Sequence, residues 1–491
     1  MRRHGGSATK PAEPGEAIKL RAMSDRLSAV DASFIYLEDQ ATPMHVGGVA
    51  VFRRPRGGFD YDELVRMIEQ RLDLIPRYRQ KVQSVPGHLA RPVWVDDAGF
   101  DLTYHVRRSA LPRPGNDDQL HDLVARLMSR PLDPTRPLWE TYLVEGLAQS
   151  RFAIVTKTHL ALVDGVGTID IGQLILDTSP QVGHHSDGAW IPQRPPTSTK
   201  LLLDAITDAV QRPRELVENA RAAAGDLFSS TLVKRIADTA GGLVTAIGTA
   251  STAPSGPLNV RISPQRRFTV ARTSLDDFKA IRSEHNCTVN DAVLATLAGA
   301  LRTWLLSRGR NVTSSTTLRA LVPLAVREDE DDETVPGMLG NMVTAKLVDL
   351  PVGEPNAVVR LHHVSHAMRV HNASASKVAA GALRRMSGFA PPTLHSLGAR
   401  AAGSFSRRIF NVVITNVPGP QEPLYAGNAK MMEMFPVVPL VRNQALAIGV
   451  TSYDGGVYFG LNGDRGAMSD VDNLARMVEE SLEELLSTVR V

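Results

Sequence analysis

The sequence predicts a protein of mixed helices and strands, an α/β fold in two large domains. The chain has 491 residues, more than one ordinary hydrophobic core accommodates. Its 43% hydrophobic and 22% charged residues are typical of a folded protein rather than a disordered or fibrous one. Strand-like and helix-like segments alternate on both sides of a polar connector, which favours two domains of similar construction.

The first domain is predicted over residues 25–180, after a basic leader at 1–24 that we expect to be disordered. The segment HVGGVAVF, His45 to Phe52, predicts a strand. A helix follows that Pro76 ends, and its apolar stripe consists of Leu64, Ile68, Leu72 and Ile75. Later segments predict the strands PVWVDD and YHVRR, the helix NDDQLHDLVARLMSR capped by Asn116, the buried strand RFAIVTKTH and the helix TIDIGQLILDT.

Residues 181–260 predict a connector, first polar and proline-rich, then alanine-rich and typical of amphipathic helices. The second domain is predicted over 261–491. It contains a long helix, TVNDAVLATLAGALRTWLLSRG, that Gly309 ends and whose apolar stripe consists of Leu294, Leu297, Leu301, Trp304 and Leu305. A hairpin that turns through Asp454, Gly455 and Gly456 and a closing helix complete the domain.

The composition disfavours several classes of protein. The single cysteine, Cys287, excludes internal disulfides and a cysteine-based zinc cluster, and it favours a reducing, cytoplasmic compartment. The N-terminus lacks the apolar core of a secretory signal, and no apolar run approaches the roughly 18 residues of a membrane span. The net charge of +3 is spread thinly, so we expect no nucleic-acid partner and at most a mild attraction to anionic membranes.

Three histidines of the segment NAVVRLHHVSHAMRVH suggest a metal site. His362 and His366 lie four residues apart on a predicted helix, beside His363, and this spacing allows two side chains to share a metal. The segment lacks the glutamate of an H-E-x-x-H motif and an evident third ligand. We therefore interpret it as a solvated helix face and expect no metal. Motifs typical of lipases, nucleotide hydrolases and dinucleotide enzymes are also missing.

A series of blocks from about Leu27 to Leu486 resembles a known family. In order, the blocks are SAVDASFIYLEDQATPMHVGGVAVF, IPRYRQKV, FDLTYHVRRSALPRPG, PLDPTRPLWE, THLALVDGVG, CTVNDAVLA, LVPLAVRED, LGNMV, ITNVPGPQEPLY and TSYDGGVYFGLNGD. They resemble the bacterial wax ester synthase/diacylglycerol acyltransferase family, of the actinobacterial triacylglycerol synthase type. The resemblance implies two chloramphenicol-acetyltransferase-like halves around a central tunnel. It also implies acyl-CoA as co-substrate, diacylglycerol or a long-chain alcohol as acceptor, and no cofactor.

The family's active motif is H-H-x-x-x-D-G, whose second histidine is taken to remove the proton of the acceptor hydroxyl. The segment THLALVDGVG aligns Asp164 and Gly165 with D-G, His159 with the first histidine and Leu160 with the second. A positioned imidazole contributes roughly 10² to 10⁴ in rate, whereas leucine has no basic atom. Proximity of thioester and hydroxyl is the contribution that would remain.

Two roles are open for His159. Neighbouring side chains of a strand point to opposite faces, which favours a structural, hydrogen-bonded histidine, but near a strand end the alternation weakens and His159 could act as the base. The resemblance implies that Asp164 is a scaffold carboxylate that fixes the turn, through a charge-assisted bond to an arginine. Gly165 and Gly167 would then allow a tight turn and a close approach of the backbone to substrate.

Other blocks carry further expectations. Asn290 and Asp291 either cap the first turn of their helix or, as the resemblance implies, face the active-centre tunnel. Trp139, in the block PLW, is expected to pack in the core or to line the acyl tunnel as a substrate-binding residue. The segment NVPGP, Asn416 to Pro420, is expected to form a rigid crossover loop between the halves.

The sequence thus favours an acyl-CoA-dependent O-acyltransferase that makes triacylglycerol or wax esters. One alternative is a catalytically weak or inactive homologue that binds lipid or acyl-CoA, because Leu160 replaces the family's base. Another is an enzyme that acylates a different acceptor through His159. The connector helices either pack between the halves or lie on the inner membrane face or a lipid droplet, where an insoluble acceptor is concentrated.

Overall fold

Two six-stranded mixed sheets form the framework of the molecule. The computed structural model describes residues 25–88, 90–163, 171–180, 190–211, 253–254, 256–325, 343–374 and 409–489. Its strands are β1 (His45–Arg53), β2 (Gln80–Gln83), β3 (Val93–Asp96), β4 (Val106–Ala110), β5 (Trp139–Leu147), β6 (Arg151–His159), β7 (Arg266–Ser274), β8 (Leu318–Ala325), β9 (Val343–Leu350), β10 (Val412–Val417), β11 (Tyr425–Ala426), β12 (Ala429–Val437), β13 (Leu446–Tyr453) and β14 (Gly456–Asp464). Its α-helices are α1 (Ala29–Leu37), α2 (Tyr61–Glu69), α3 (Leu102–His105), α4 (Asp117–Met128), α5 (Ile171–Leu174), α6 (Ser198–Gln211), α7 (Leu275–His285), α8 (Val289–Ser307), α9 (Ala357–Ser374) and α10 (Val471–Leu486).

The first sheet has the strand order β11-β12-β1-β6-β5-β4. Strand β6 is antiparallel to both neighbours, and its last residue, His159, lies opposite His45 of β1. Because successive side chains of a strand alternate between faces, the sheet buries two apolar clusters. One contains the stacked rings of Phe52 and Phe152, and the other includes the apolar face of α4.

The second sheet has the strand order β7-β14-β13-β10-β8-β9. Helix α8 packs against it and against α9 and α10. The predicted stripe of α8 is buried as expected, with Leu294, Leu297, Leu301 and Trp304 at 0% exposure, and Gly309 follows the helix at φ +67°. The predicted α/β fold with two halves is therefore confirmed.

The chain crosses twice between the sheets in the second half. Strand β10 belongs to the second sheet, β11 and β12 join the first, and β13 returns to the second. The predicted crossover at NVPGP is confirmed, although the division at residue 261 did not anticipate that the later half would supply two strands to the first sheet. Close approach of β12 to β14 requires glycine, because a Cβ at Gly460 would lie 1.9 Å from the Pro436 carbonyl oxygen.

Several local predictions are confirmed and two need correction. Asn116 caps α4 in a capping box, and the β13–β14 hairpin turns through Asp454 and Gly455 at φ +43° and +83°. The predicted helix before Pro76 ends earlier, at Glu69, and 3₁₀ turns follow at Leu72–Leu74 and Pro76–Arg79. Just after the helix, the buried Arg71 side chain donates to the Leu174 carbonyl. The predicted strand YHVRR begins only at β4, because its first two residues end the short helix α3.

The predicted leader and residues 181–189, 212–252 and 255 of the predicted connector lie outside the described residues. Residues 168–170 of the predicted helix TIDIGQLILDT also lie outside them, and the rest is helical only over α5, because Asp177 exchanges backbone hydrogen bonds with Tyr425 of β11 instead. Among the described helices, none has the length and apolar character needed to span a membrane. His362, His363 and His366 are exposed on α9, and no group of three potential metal ligands occurs in the described part of the chain.

Candidate active site

His159 lies at the end of β6, where the first sheet gives way to the motif turn. The run of β-branched residues before it forms a strand that is buried from Phe152 onward. The His159 backbone N–H donates to the Leu138 carbonyl, and its carbonyl accepts from the N–H groups of Leu162 and Val163. The side chain is completely buried, so both sheet pairing and the turn fix its position.

The imidazole of His159 has one ring nitrogen that accepts a hydrogen bond and one without a hydrogen-bond partner in the described residues. The Ala161 backbone N–H donates to Nδ1 at 3.0 Å. Neutral histidine has one donor and one acceptor nitrogen, so this bond requires the proton on Nε2. Nε2 lies 3.5 Å from Glu38 Oε2, within ion-pair range but not aligned as a hydrogen bond, and it has no other polar partner in the described residues. The contacts of His159 are those of a residue that shapes the turn.

Leu160 occupies the position of the expected base and is partly exposed, in contrast to His159. Its backbone N–H donates to the Met44 carbonyl at 2.9 Å, which ties the turn to the start of β1. Asp164, Gly165 and Gly167 lie outside the described residues, so their predicted roles remain predictions.

Sequence reasoning missed an acidic segment between α1 and β1. Glu38 Oε1 accepts from the Met44 N–H at 3.2 Å, while Asp39 Oδ1 accepts from the N–H groups of Ala41 and Thr42 at 2.8 and 2.9 Å. The sequence does show two adjacent carboxylates, between helix α1 and the strand predicted at His45 to Phe52. Carboxylates at such positions commonly accept hydrogen bonds from backbone N–H groups. The segment brings a carboxylate next to the motif histidine.

A second polar cluster shares the same face of the first sheet. The Nε2–H of His45 donates to the Met128 carbonyl at 3.1 Å, and burial, reinforced by the charge of Lys157, lowers the pKa of His45 well below its ordinary value. Burial also lowers the pKa of Lys157 to about 8, against the opposing effect of Glu140 at 3.6 Å. The cluster therefore contains a neutral histidine and an easily discharged lysine.

The Glu140 carboxylate is fully engaged by neighbours. It pairs with Arg107 at 3.1 Å and accepts from the Tyr142 hydroxyl at 2.6 Å. Burial, with the nearby negative charge of Glu140, raises the pKa of Tyr142. A cleft of about 440 Å³ opens beside these residues and is further lined by Tyr104, Arg130, Pro131, Leu132, Asp133 and Pro134.

Trp139 is completely buried in the first half. Its Nε1–H donates to the Tyr78 carbonyl at 2.8 Å, and its ring stacks on His105 with centroids 4.7 Å apart. These contacts are those of a core residue, which is one of the two roles that the sequence left open, and contact with substrate stays a prediction.

Asn290 and Asp291 lie at the start of α8. Asp291 forms a capping box with Thr288, accepting from its N–H at 3.0 Å while the Thr288 hydroxyl accepts from the Asp291 N–H at 3.0 Å. Asn290 Oδ1 accepts from the Asn416 amide at 2.9 Å, which joins the helix to the end of β10. The described contacts are thus capping and scaffold contacts, and no distance brings either residue to His159. Their tunnel role remains a prediction.

The two-sheet fold is shared with condensation domains and with an acyltransferase of known structure. The first condensation domain of the CDA synthetase aligns over 96% of this chain and 98% of that domain, with a TM-score of 0.53 and 12% identity, which shows the fold alone. A wax ester synthase/diacylglycerol acyltransferase from Marinobacter aquaeolei VT8 aligns over 94% of this chain and 98% of that one, with a TM-score of 0.64 and 29% identity.

The chain belongs to the wax ester synthase/diacylglycerol acyltransferase family. Residues 27–293 match the family's catalytic domain and residues 339–486 match its C-terminal domain. A probable diacylglycerol O-acyltransferase of Mycobacterium tuberculosis, tgs2, is 34% identical over 95% of this chain and 100% of its own length. Another from the same organism, tgs3, is 50% identical over 54% of this chain and 98% of its own length. The predicted family is confirmed.

Proposed function

We propose that this chain transfers the acyl group of acyl-CoA to the hydroxyl of diacylglycerol, with fatty alcohols as a second class of acceptor. The observation that carries the proposal is the similarity over 95% of the chain to a protein named as a diacylglycerol O-acyltransferase. In the reaction, the hydroxyl oxygen bonds to the thioester carbonyl carbon, the carbon–sulfur bond breaks, and the hydroxyl proton ends on the CoA thiol. An acyl donor and an acyl acceptor are what an acyltransferase of this family requires.

The site supports catalysis without an imidazole base at position 160. His159 holds the turn through Ala161 and leaves Leu160 partly exposed where the second motif histidine would stand. Holding the thioester and the hydroxyl in reacting geometry can itself lower the barrier by about 7 kcal/mol or more. The alternative, an inactive lipid-binding homologue, rests on Leu160 alone and is not favoured, because the similarity covers both family domains.

A radiolabelled acyl-transfer assay on purified protein tests this function. Palmitoyl-CoA is supplied with diacylglycerol or with hexadecanol, and wild type is compared with Leu160→His. We expect triacylglycerol from the wild type, and an increase of roughly 100-fold in Leu160→His because an imidazole is restored at the base position. His159→Ala separates the two roles of His159. Acyl-transfer activity should disappear if His159 is the base, and should fall only in part if His159 holds the turn. No product from any of these variants with either acceptor overturns the proposal.

We further propose that the protein meets its acceptor as a cytoplasmic protein bound at a membrane or lipid-droplet surface. Diacylglycerol is insoluble, and helix α6 carries Leu203, which is 59% exposed, next to the buried Leu201. Apolar side chains on a helix exposed to solvent favour interfacial binding. Flotation of the protein with vesicles that contain diacylglycerol, compared with Leu203→Glu, tests this location, and equal flotation of both proteins contradicts a role for α6.

A further inference from the structure

Glu38 is the acidic side chain that the fold places against the motif histidine. Its Oε1 accepts from the Met44 N–H at 3.2 Å and its Oε2 lies 3.5 Å from His159 Nε2. The Met44 carbonyl in turn accepts from the N–H of Leu160 at 2.9 Å. One residue, Met44, therefore links the carboxylate to the position where the family's base would stand.

Exposure distinguishes Glu38 from the histidines around it. The Glu38 side chain is 24% exposed, whereas the His159 side chain is 1% exposed and His45 is 3% exposed as a residue. Leu160 is also partly exposed. Glu38 is therefore accessible to a hydroxyl group, whereas the imidazole rings of His159 and His45 are buried.

The tautomer of His159 decides which group can take a proton. Its Nδ1 lone pair accepts from Ala161, so the neutral ring carries a hydrogen on Nε2 and presents a donor toward Glu38. In that form, His159 has no free basic nitrogen. A carboxylate that orients an imidazole base is therefore not the arrangement here, because the imidazole N–H faces the carboxylate.

Two other carboxylates near the site differ from Glu38 in their contacts. Glu140 is held by Arg107, Tyr142 and Lys157, and Asp39 accepts from the backbone of its own turn. Glu38 Oε2, by contrast, lies 3.5 Å from His159 Nε2 and accepts no hydrogen bond from the described residues. It is the carboxylate oxygen beside the motif histidine that has capacity for a substrate hydroxyl.

We propose that Glu38 accepts the proton of the acceptor hydroxyl in this chain, the task that Leu160 leaves unfilled, with His159 as its positioning residue. This assignment rests on the proposed function. As the hydroxyl oxygen bonds to the thioester carbon, its proton passes to Glu38 Oε2, and after the carbon–sulfur bond breaks the same proton passes to the departing CoA thiolate. A carboxylate is a weaker base than an imidazole, so acyl transfer is slower with Glu38 as the base. This agrees with the higher rate expected for Leu160→His.

The test begins with Glu38→Gln, which keeps an oxygen for the Met44 N–H but cannot take a proton. We expect kcat to fall roughly 100-fold and KM to change less than about threefold, because a proton transfer in the transition state is lost. Glu38→Asp should recover part of kcat. The matched control is Glu354→Gln, since Glu354 also accepts a backbone N–H, from Asn356 at 2.9 Å, on the second half of the molecule, and we expect its kcat to be unchanged.

The same substitution in the Leu160→His background separates a base from a structural residue. If Glu38 is the base, an imidazole at position 160 replaces it, and the loss on Glu38→Gln should shrink to less than about tenfold. If Glu38 only holds the Met44 loop, the loss is equal in both backgrounds and the proposal is overturned. If Glu38→Gln transfers acyl groups as fast as wild type, this assignment alone is overturned. If neither wild type nor Leu160→His transfers acyl groups, the proposed function is overturned and the assignment with it. Circular dichroism and thermal unfolding confirm that each variant is folded.

Discussion

Strands β6 and β10 are interior strands of the two sheets, and the polar side chains at their C-terminal ends differ in hydrogen bonding. At the end of β6, His159 is buried with one ring nitrogen bonded and the other without a hydrogen bond from the described residues. At the end of β10, the Asn416 amide donates to Asn290, and the Val417 carbonyl accepts from the Thr451 hydroxyl. The first strand end keeps a buried ring nitrogen that no described residue bonds, whereas at the second the Asn416 amide and the Val417 carbonyl are bonded to neighbouring elements.

Pairing direction adds to this difference. Strand β6 is antiparallel to both neighbours, whereas β10 is parallel to both. The face of the first sheet that carries His159 also carries Lys157 and Glu140, while the core around β10 is largely apolar. Buried polar groups cost free energy unless they are paired, so three ionisable side chains on one face of the first sheet, including the motif histidine, are typical of a functional site.

The largest effect expected from this comparison is a pH-dependent stability due to Lys157. Burial lowers its pKa to about 8 from 10.5, so between these values the unfolded chain binds more protons than the folded one and stability rises with pH. At 1.36 kcal/mol per pKa unit, wild type should gain about 3 kcal/mol between pH 8 and pH 10.5 relative to Lys157→Met. Urea unfolding of both proteins at several pH values measures this gain.

A difference between the two proteins that stays constant with pH would contradict the burial of a charged Lys157. The variant is a suitable reference because methionine keeps most of the volume of the lysine side chain and does not titrate. The free energies are compared at equal ionic strength, so that surface charges cancel.

A smaller effect is the difference in unfolding free energy between variants at the ends of β6 and β10. His159→Phe removes the acceptor of the Ala161 N–H at a buried position, and an unsatisfied buried donor costs about 2 kcal/mol of unfolding free energy. Asn416→Ala should cost less than about 1 kcal/mol, because Asn416 and Asn290 are partly exposed and water replaces the lost bond. Denaturant unfolding of both variants at pH 7 checks the order, and an equal cost would remove the distinction between the strand ends.

Local periodicity predicted much of the fold. Helix α8, strand β6 and the β13–β14 hairpin follow from hydrophobic spacing, capping residues and turn residues, all of which act over a few positions. The end of α2 at Glu69 did not follow, because it coincides with Arg71 contacting Leu174, about a hundred residues away. Strand exchange by β11 and β12 was likewise invisible, since no local pattern states which sheet a strand joins.

The candidate site was predicted in part. The motif resemblance identified His159 and Leu160, and the strand alternation favoured a structural role for His159 that agrees with its bond to Ala161. Glu38 was missed because its significance depends on the pairing of β1 with β6, which brings residues more than a hundred positions apart together. Sequence shows which carboxylates exist, and tertiary pairing decides which of them reaches the motif.

A further small effect concerns Asp291, for which capping and substrate contact are competing interpretations. Its carboxylate accepts from the Thr288 N–H, and because Thr288 is exposed, water can replace the lost acceptor. We therefore expect Asp291→Ala to cost about 1 kcal/mol of unfolding free energy, with kcat and KM within about twofold of wild type. Thr288→Ala should cost a similar amount, and the double variant should cost less than the sum, because both residues belong to one capping box. A fall in kcat of more than about tenfold with little loss of stability would instead place Asp291 at the substrate tunnel, and would show that the second half contributes a reactive polar group after all.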